Sequence, residues 1–182
     1  MDVFKHPNQP LLYKISKFGR DHWKPVIAIR HFYTHKIAHL LEPEAIPNIH
    51  LACTLGQVVL VERVIYKTKL TWKDMDKQKP DTLVQLLMRL DAIACQPHDT
   101  NPDNYVIDIK NRLWYIDDLE VADQLGGSYS LDQQRIKLFE AEIYARLEAE
   151  DRERALIFLE RLKLTYGTLF DENSADTPGA ST

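Results

Sequence analysis

A chain of 182 residues, 45% of them hydrophobic and 27% charged, has the length for one substantial core and is short for two independent domains. Its formal net charge of −4 argues against a nucleic-acid binder that relies on general attraction to phosphates. No run of eighteen apolar residues occurs, and the first fourteen residues hold no signal-like apolar stretch, so the expectation is a cytoplasmic protein with no membrane span.

Val3-Phe4, a turn at Pro7-Asn8-Gln9-Pro10 and Leu11-Leu12-Tyr13-Lys14-Ile15 read as strand, turn, strand. A helix is expected from Pro25, with proline in its first turn and no further breaker until Pro43. Its apolar side is Ile29, Phe32, Tyr33, Ile37, Leu40 and Leu41. His31, His35 and His39 form a stripe roughly opposite that side, read as facing solvent or a neighbouring lobe and as pH-sensitive near neutrality. Histidines at this spacing can share Zn²⁺, but no Glu or Cys nearby completes a site. Residues 49–52 and 57–64 read as two strands joined near Gly56, the second nearly continuous in Val and Leu as a buried strand is.

A second helix is expected over 80–95, with Leu83, Leu86, Leu87, Leu90 and Ile93 or Ala94 on one side. Residues 105–109 and 113–116 then form a hairpin across Lys110-Asn111-Arg112. Gly126-Gly127 breaks the chain before two helices, 131–150 and 151–169. Their apolar stripe of Leu138, Ile143, Leu147, Leu156, Phe158, Leu159, Leu162, Leu164 and Leu169 is expected in the core. The charged run 148–154 is read as a solvated turn between them. The tail 171–182, rich in Ser, Thr, Asp, Gly and Pro, is expected to be disordered. Cys53 and Cys95 show no pairing pattern and read as small buried residues in a reducing compartment. Strands gather in the first part and helices in the second, the pattern of an α+β fold with unequal lobes.

Chemistry concentrates in Pro97-His98-Asp99-Thr100-Asn101-Pro102-Asp103-Asn104 and in Ile116-Asp117-Asp118, where Asp117 follows Asn104 by thirteen residues. A carboxylate, an amide five positions on and a carboxylate closing a strand are the groups a phosphoryl-transfer site needs. One takes the proton of the attacking hydroxyl and two hold Mg²⁺. The same residue types also build polar loops before hairpins.

Together these pieces resemble the protein-kinase-like superfamily, in the branch of aminoglycoside phosphotransferases and lipopolysaccharide core kinases. The resemblance covers about residues 11–120. It implies a single kinase-like domain over 1–170, with a reduced strand-rich lobe (1–61), a hinge (62–66) and a helical lobe (67–170). It implies Asp99 as catalytic base, Asn104 and Asp117 as Mg²⁺ ligands, and Lys14 as the lysine on nucleotide phosphates. Glu62, Arg63 and Val64 would meet the adenine of ATP through their backbone. The acceptor would be a hydroxyl of a small molecule or sugar. Bland roles stay open for each: Asp99 as a turn cap, Asn104 as a loop brace, Asp118 in place of Asp117, Lys5 or Lys17 in place of Lys14.

Three departures from that family stand out. No Gly-bearing loop precedes Lys14, since the first glycine is Gly19; truncation, a misplaced start or genuine loss is expected. No acidic residue lies between Asp21 and Glu42, and His31 falls where the lysine's glutamate partner is expected. Lys14 must then be oriented by something else, Asp117 or the phosphates. Pro97 stands two before Asp99, where histidine is common, so support for the loop must differ. These departures leave open an alternative, a catalytically inactive module that binds nucleotide or a partner.

Overall fold

The computed structural model describes residues 2–15, 25–52, 58–76, 81–97, 99–121 and 133–173. Among them helices and antiparallel strands mix, as expected of an α+β fold. Strands β1 (Asp2–Lys5), β2 (Leu11–Ile15), β3 (Ile49–Ala52) and β4 (Val58–Glu62) form one sheet in the order β1-β2-β4-β3. β4 is an interior strand, with β2 and β3 on either side. The register sets Lys14 opposite Val59 and Leu12 opposite Val61. Strand alternation therefore puts Lys14 on the same face as Val61. That face is covered, for Val61 is 3% and Lys14 7% exposed. A lysine this deep requires anionic partners.

From β4 the chain passes through residues 63–65 into a second sheet. It contains β5 (Tyr66–Lys69), β7 (Tyr105–Asp108) and β8 (Leu113–Tyr115) in the order β5-β7-β8. A separate ribbon pairs β6 (Cys95–Pro97) with β9 (Leu119–Val121). The helices are α1 (Pro25–Leu41), α2 (Trp72–Asp76), α3 (Asp81–Ala92), α4 (Gln133–Arg146) and α5 (Ala149–Asn173). β5, β6, β9 and α2 escape the sequence reading because segments of three to five residues hold too few repeats to display a period. α3 stops short of the expected 95, because Ala94 takes a left-handed φ of 57° and turns the chain into β6.

One core joins the helices α1, α3, α4 and α5 to the second sheet and the β6–β9 ribbon. Ile37, Ala38 and Leu41 of α1 meet Leu83, Leu86 and Leu90 of α3, Tyr105 and Tyr115 of the hairpin, and Phe139, Ile143, Leu159 and Leu162 of the last helices. α5 also lies along α1, where the Tyr33 and Phe158 rings are 6.2 Å apart and Arg30 Nη2 donates to the Thr165 carbonyl at 2.9 Å.

Several expectations change. The histidine stripe is not solvated: His31 is 8% and His35 4% exposed. His35 Nε2 donates to the Pro47 carbonyl at 2.8 Å and His39 Nδ1 to the Ile46 carbonyl at 2.7 Å. His35 and His39 face the loop after α1, and His31 faces Asp118. Among the described residues no group of three or more His, Cys, Asp or Glu is placed to hold a metal. Leu138 and Leu164 are 38% and 62% exposed; Leu164 lies five positions beyond buried Leu159, about 140° around the helix. Residues 171–173 continue α5 and do not begin a tail. Residues 174–182, the junction near Gly56, the Gly126-Gly127 break, Cys53, Lys17 and Gly19 lie outside the described residues. Cys95 is buried, as expected. No helix among the described residues is long and apolar enough to cross a membrane.

Candidate functional site

Two ribbons diverge at the candidate site, and their registers fix its parts. In the hairpin, Tyr105 pairs with Tyr115, so Asn104 and Ile116 are the next residues out, and Ile116 N donates to Asn104 O at 2.9 Å. In the other ribbon Pro97 pairs with Leu119. Asp99 therefore sits two residues past one strand, and Asp118 one residue before its partner strand. The loop itself is a chain of local caps. Asp99 Oδ1 accepts from Asn101 N at 2.8 Å, and Asn101 Oδ1 accepts from Asp103 N at 3.1 Å. Pro102 opens a single 3-10 turn, Pro102–Asn104, where a missing N–H does no harm. The turn-capping role left open for Asp99 is thus real, and it occupies one carboxylate oxygen.

Asn104 Nδ2 donates to Asp117 Oδ2 at 3.1 Å and lies 3.4 Å from the Asp99 carbonyl. Lys14 Nζ, some hundred residues away in sequence, donates to Asp117 Oδ1 and to the Ile116 carbonyl, each at 3.0 Å. Asp118 Oδ1 stands 3.8 Å from the same ammonium. Asp118 Oδ2 stands 3.7 Å from His31 Nδ1 on α1. Burial works against the charged Asp118 carboxyl, yet His31 and Lys14 outweigh it and hold the group well below the usual carboxylate range. Burial, with help from the Lys14 charge, pushes the neighbouring His35 down to about 4.

Loop support comes partly from Tyr115, which is fully buried. Its hydroxyl reaches the Asp118 carbonyl at 3.0 Å and the Asp99 carbonyl at 3.2 Å, with one proton to give to either. It thereby ties the Asp99 loop to the Asp117-Asp118 segment. Nothing in the sequence marked this tyrosine. Asp118 was visible only as a rival to Asp117, and His31 as one of a histidine stripe and a misfit beside a lysine.

Glu62, Arg63 and Val64, expected to form a hinge, are not part of this cluster. Glu62 pairs with Leu11, three residues along β2 from Lys14, or roughly 10 Å. Glu62 N and Arg63 N already donate to the carbonyls of Asn48 and Pro10, both at 2.7 Å. Glu62, Arg63 and Val64 line a cavity of about 250 Å³ with Asp108, Lys110, Arg112 and Trp114 of the hairpin.

Two side chains of the cluster could contribute to holding a divalent ion. Asp117 and Asn104 offer oxygen donors from two backbone segments, and a cation, the Lys14 ammonium, already lies against Asp117 Oδ1. Mg²⁺ commonly takes only one or two protein groups and completes its shell with phosphate and water. Asn104 faces Asp117 through nitrogen, so its amide must turn over to present Oδ1. Glu42, the first acid after α1, is committed elsewhere: it accepts from Arg146 Nη2 at 2.6 Å and lies 3.2 Å from Arg89 Nη1. No protein-family model matches the chain, and no curated protein matches it.

Proposed function

We propose that this chain is a kinase-like phosphotransferase that moves the γ-phosphoryl group of ATP to a hydroxyl of a small molecule or sugar, with Mg²⁺. The observation that carries this reading is the meeting of Lys14, Asn104 and Asp117 within 3.0 to 3.1 Å contacts, next to Asp99. A loop that merely closed a hairpin would not need to recruit a lysine from the middle of another sheet.

In this reading residues 1–170 form one domain, with a strand-rich lobe (1–61), a hinge (62–66) and a helical lobe (67–170). Support comes from the sheet order β1-β2-β4-β3 and from the chain crossing between sheets at residues 63–65. The gap of roughly 10 Å between Glu62 and Lys14 is one that a nucleotide laid from hinge to lysine would span. Lys14 binds phosphate oxygens. Asn104 and Asp117 would hold Mg²⁺, which neutralises phosphate charge when bound. Asp99, with Oδ1 on the Asn101 amide, takes the acceptor's proton on Oδ2. A cytoplasmic location, where ATP and Mg²⁺ are supplied, goes with this reading.

A nucleotide-binding module without turnover is the second reading, and α1 favours it, since the helix carries no acidic side chain at all. Thermal unfolding with Mg²⁺ and ATP separates the two. At 100 times its dissociation constant ATP stabilises a binder by about 2.7 kcal/mol, and no shift would sink both readings. ATP consumption with hydroxylated acceptors then identifies the enzyme. Asp99→Asn is expected to lower transfer roughly 10²- to 10⁴-fold while leaving the ATP-induced shift in place. Equal transfer by the variant rules Asp99 out as the base.

A further inference from the structure

The Asp117 carboxylate serves two partners at once, Lys14 on Oδ1 and Asn104 on Oδ2. A divalent ion bound there competes with both. An ammonium and a doubly charged ion cannot crowd the same oxygen without strong repulsion. Lys14 then needs a second anion that the metal does not claim. α1 cannot supply it, because its sequence PVIAIRHFYTHKIAHLL contains no Asp or Glu.

Asp118 is placed to do so. Its Oδ1 is already 3.8 Å from Lys14 Nζ, so a shift of about 1 Å makes a direct charge-assisted hydrogen bond. Its Oδ2 faces His31 Nδ1 at 3.7 Å, and its side chain is only 15% exposed. Its backbone is pinned as well, by the Tyr115 hydroxyl on its carbonyl and by the β6–β9 pairing that starts at Leu119.

We infer that Asp118 is the standing counter-ion of Lys14: a positioning residue that keeps the lysine on the phosphates of a metal-bound nucleotide and, through His31, ties it to α1. The inference rests on the phosphotransferase reading. It moves the lysine's carboxylate partner from the helix to the segment after β8, and leaves the helix a histidine that contacts the carboxylate. With the negative charge carried by Asp118, the lack of an acid on α1 still leaves Lys14 a protein counter-ion. Asp117 and Asp118 divide the work, the first for metal and the second for lysine.

Calorimetric titration of the full chain with Mg²⁺ plus ADP, and separately with adenosine, tests this. Wild type is expected to bind Mg·ADP more tightly than adenosine, the difference being the phosphate-dependent part. Asp118→Asn is expected to weaken Mg·ADP roughly 10- to 100-fold and to leave adenosine within about 2-fold, a selective loss that general destabilisation does not produce. If Asp118→Asn does not fold, His31→Gln keeps the carboxylate and removes its tether, and is expected to give a smaller loss confined to Mg·ADP. Equal loss of both ligands, or wild-type affinity for Mg·ADP, overturns the role of Asp118. Wild type that binds neither ligand overturns the phosphotransferase reading itself, and this inference with it.

Discussion

Lys14 is the residue on which the site turns, because it is a buried cation on a covered sheet face. Its stem lies beneath the sheet and its ammonium meets two carboxylates and a carbonyl. Lys14→Met keeps the stem and removes the charge, leaving Asp117 and Asp118 to repel each other. The expected cost in the absence of divalent ions is about 1–3 kcal/mol by urea denaturation. That is less than for a fully buried pair, since the Asp117 side chain is 28% exposed. Excess Mg²⁺ is expected to recover part of it by taking the vacated carboxylate. A variant as stable as wild type without metal would show that the lysine neutralises nothing. Spacing singled out Asp99, Asn104 and Asp117, and the family resemblance singled out Lys14; the structure brings Lys14 and Asn104 onto Asp117, with the Asp99 carbonyl 3.4 Å from Asn104 Nδ2. The role of Asp118 was not legible, because adjacent acids look alike until each has a partner.

At the scale of the element, α1 departs furthest from expectation. His35 and His39 donate hydrogen bonds to the loop after the helix, and His35 is held neutral by burial, with the Lys14 charge adding to the effect and the Pro47 carbonyl and Asp118 opposing it. A folded pKa of about 4 against an ordinary value of 6.5 means that the unfolded chain takes up the proton first. Stability from this group is therefore complete above about pH 6.5 and is lost as pH falls towards 4. Chemical denaturation across that window is expected to show a loss of up to a few kcal/mol, and His35→Gln to flatten the curve. An unchanged slope in the variant would place the acid sensitivity elsewhere. The helix itself was plain from its proline start and apolar spacing. Which way its polar stripe faced was not, because periodicity gives the sides of a helix but not what covers them.

Across the whole molecule, long-range charge pairs join elements that the apolar core alone would leave free to slide. Glu42, 5% exposed at the end of α1, holds Arg146 at the end of α4 and Arg89 of α3, and Arg146 also donates to the Leu41 carbonyl at 2.7 Å. Arg146→Met is expected to cost about 2–3 kcal/mol, below the value for a fully buried pair because Arg146 is 36% exposed. Thermal melting of the variant checks this, and a change near zero would mean Arg89 alone satisfies Glu42. The sequence by itself determined the long elements and the chemical types gathered near residues 99–118, since apolar period, turn residues and motif spacing are local properties. The tertiary structure decided the rest: that β4 is a central strand, that β6 and β9 clamp the loop, that Tyr115 bridges it, and that Lys14 is shared between two acids. Those outcomes depend on pairing register and on packing between residues that can lie more than a hundred positions apart. Each is fixed by contact distance in space, which no spacing along the chain encodes.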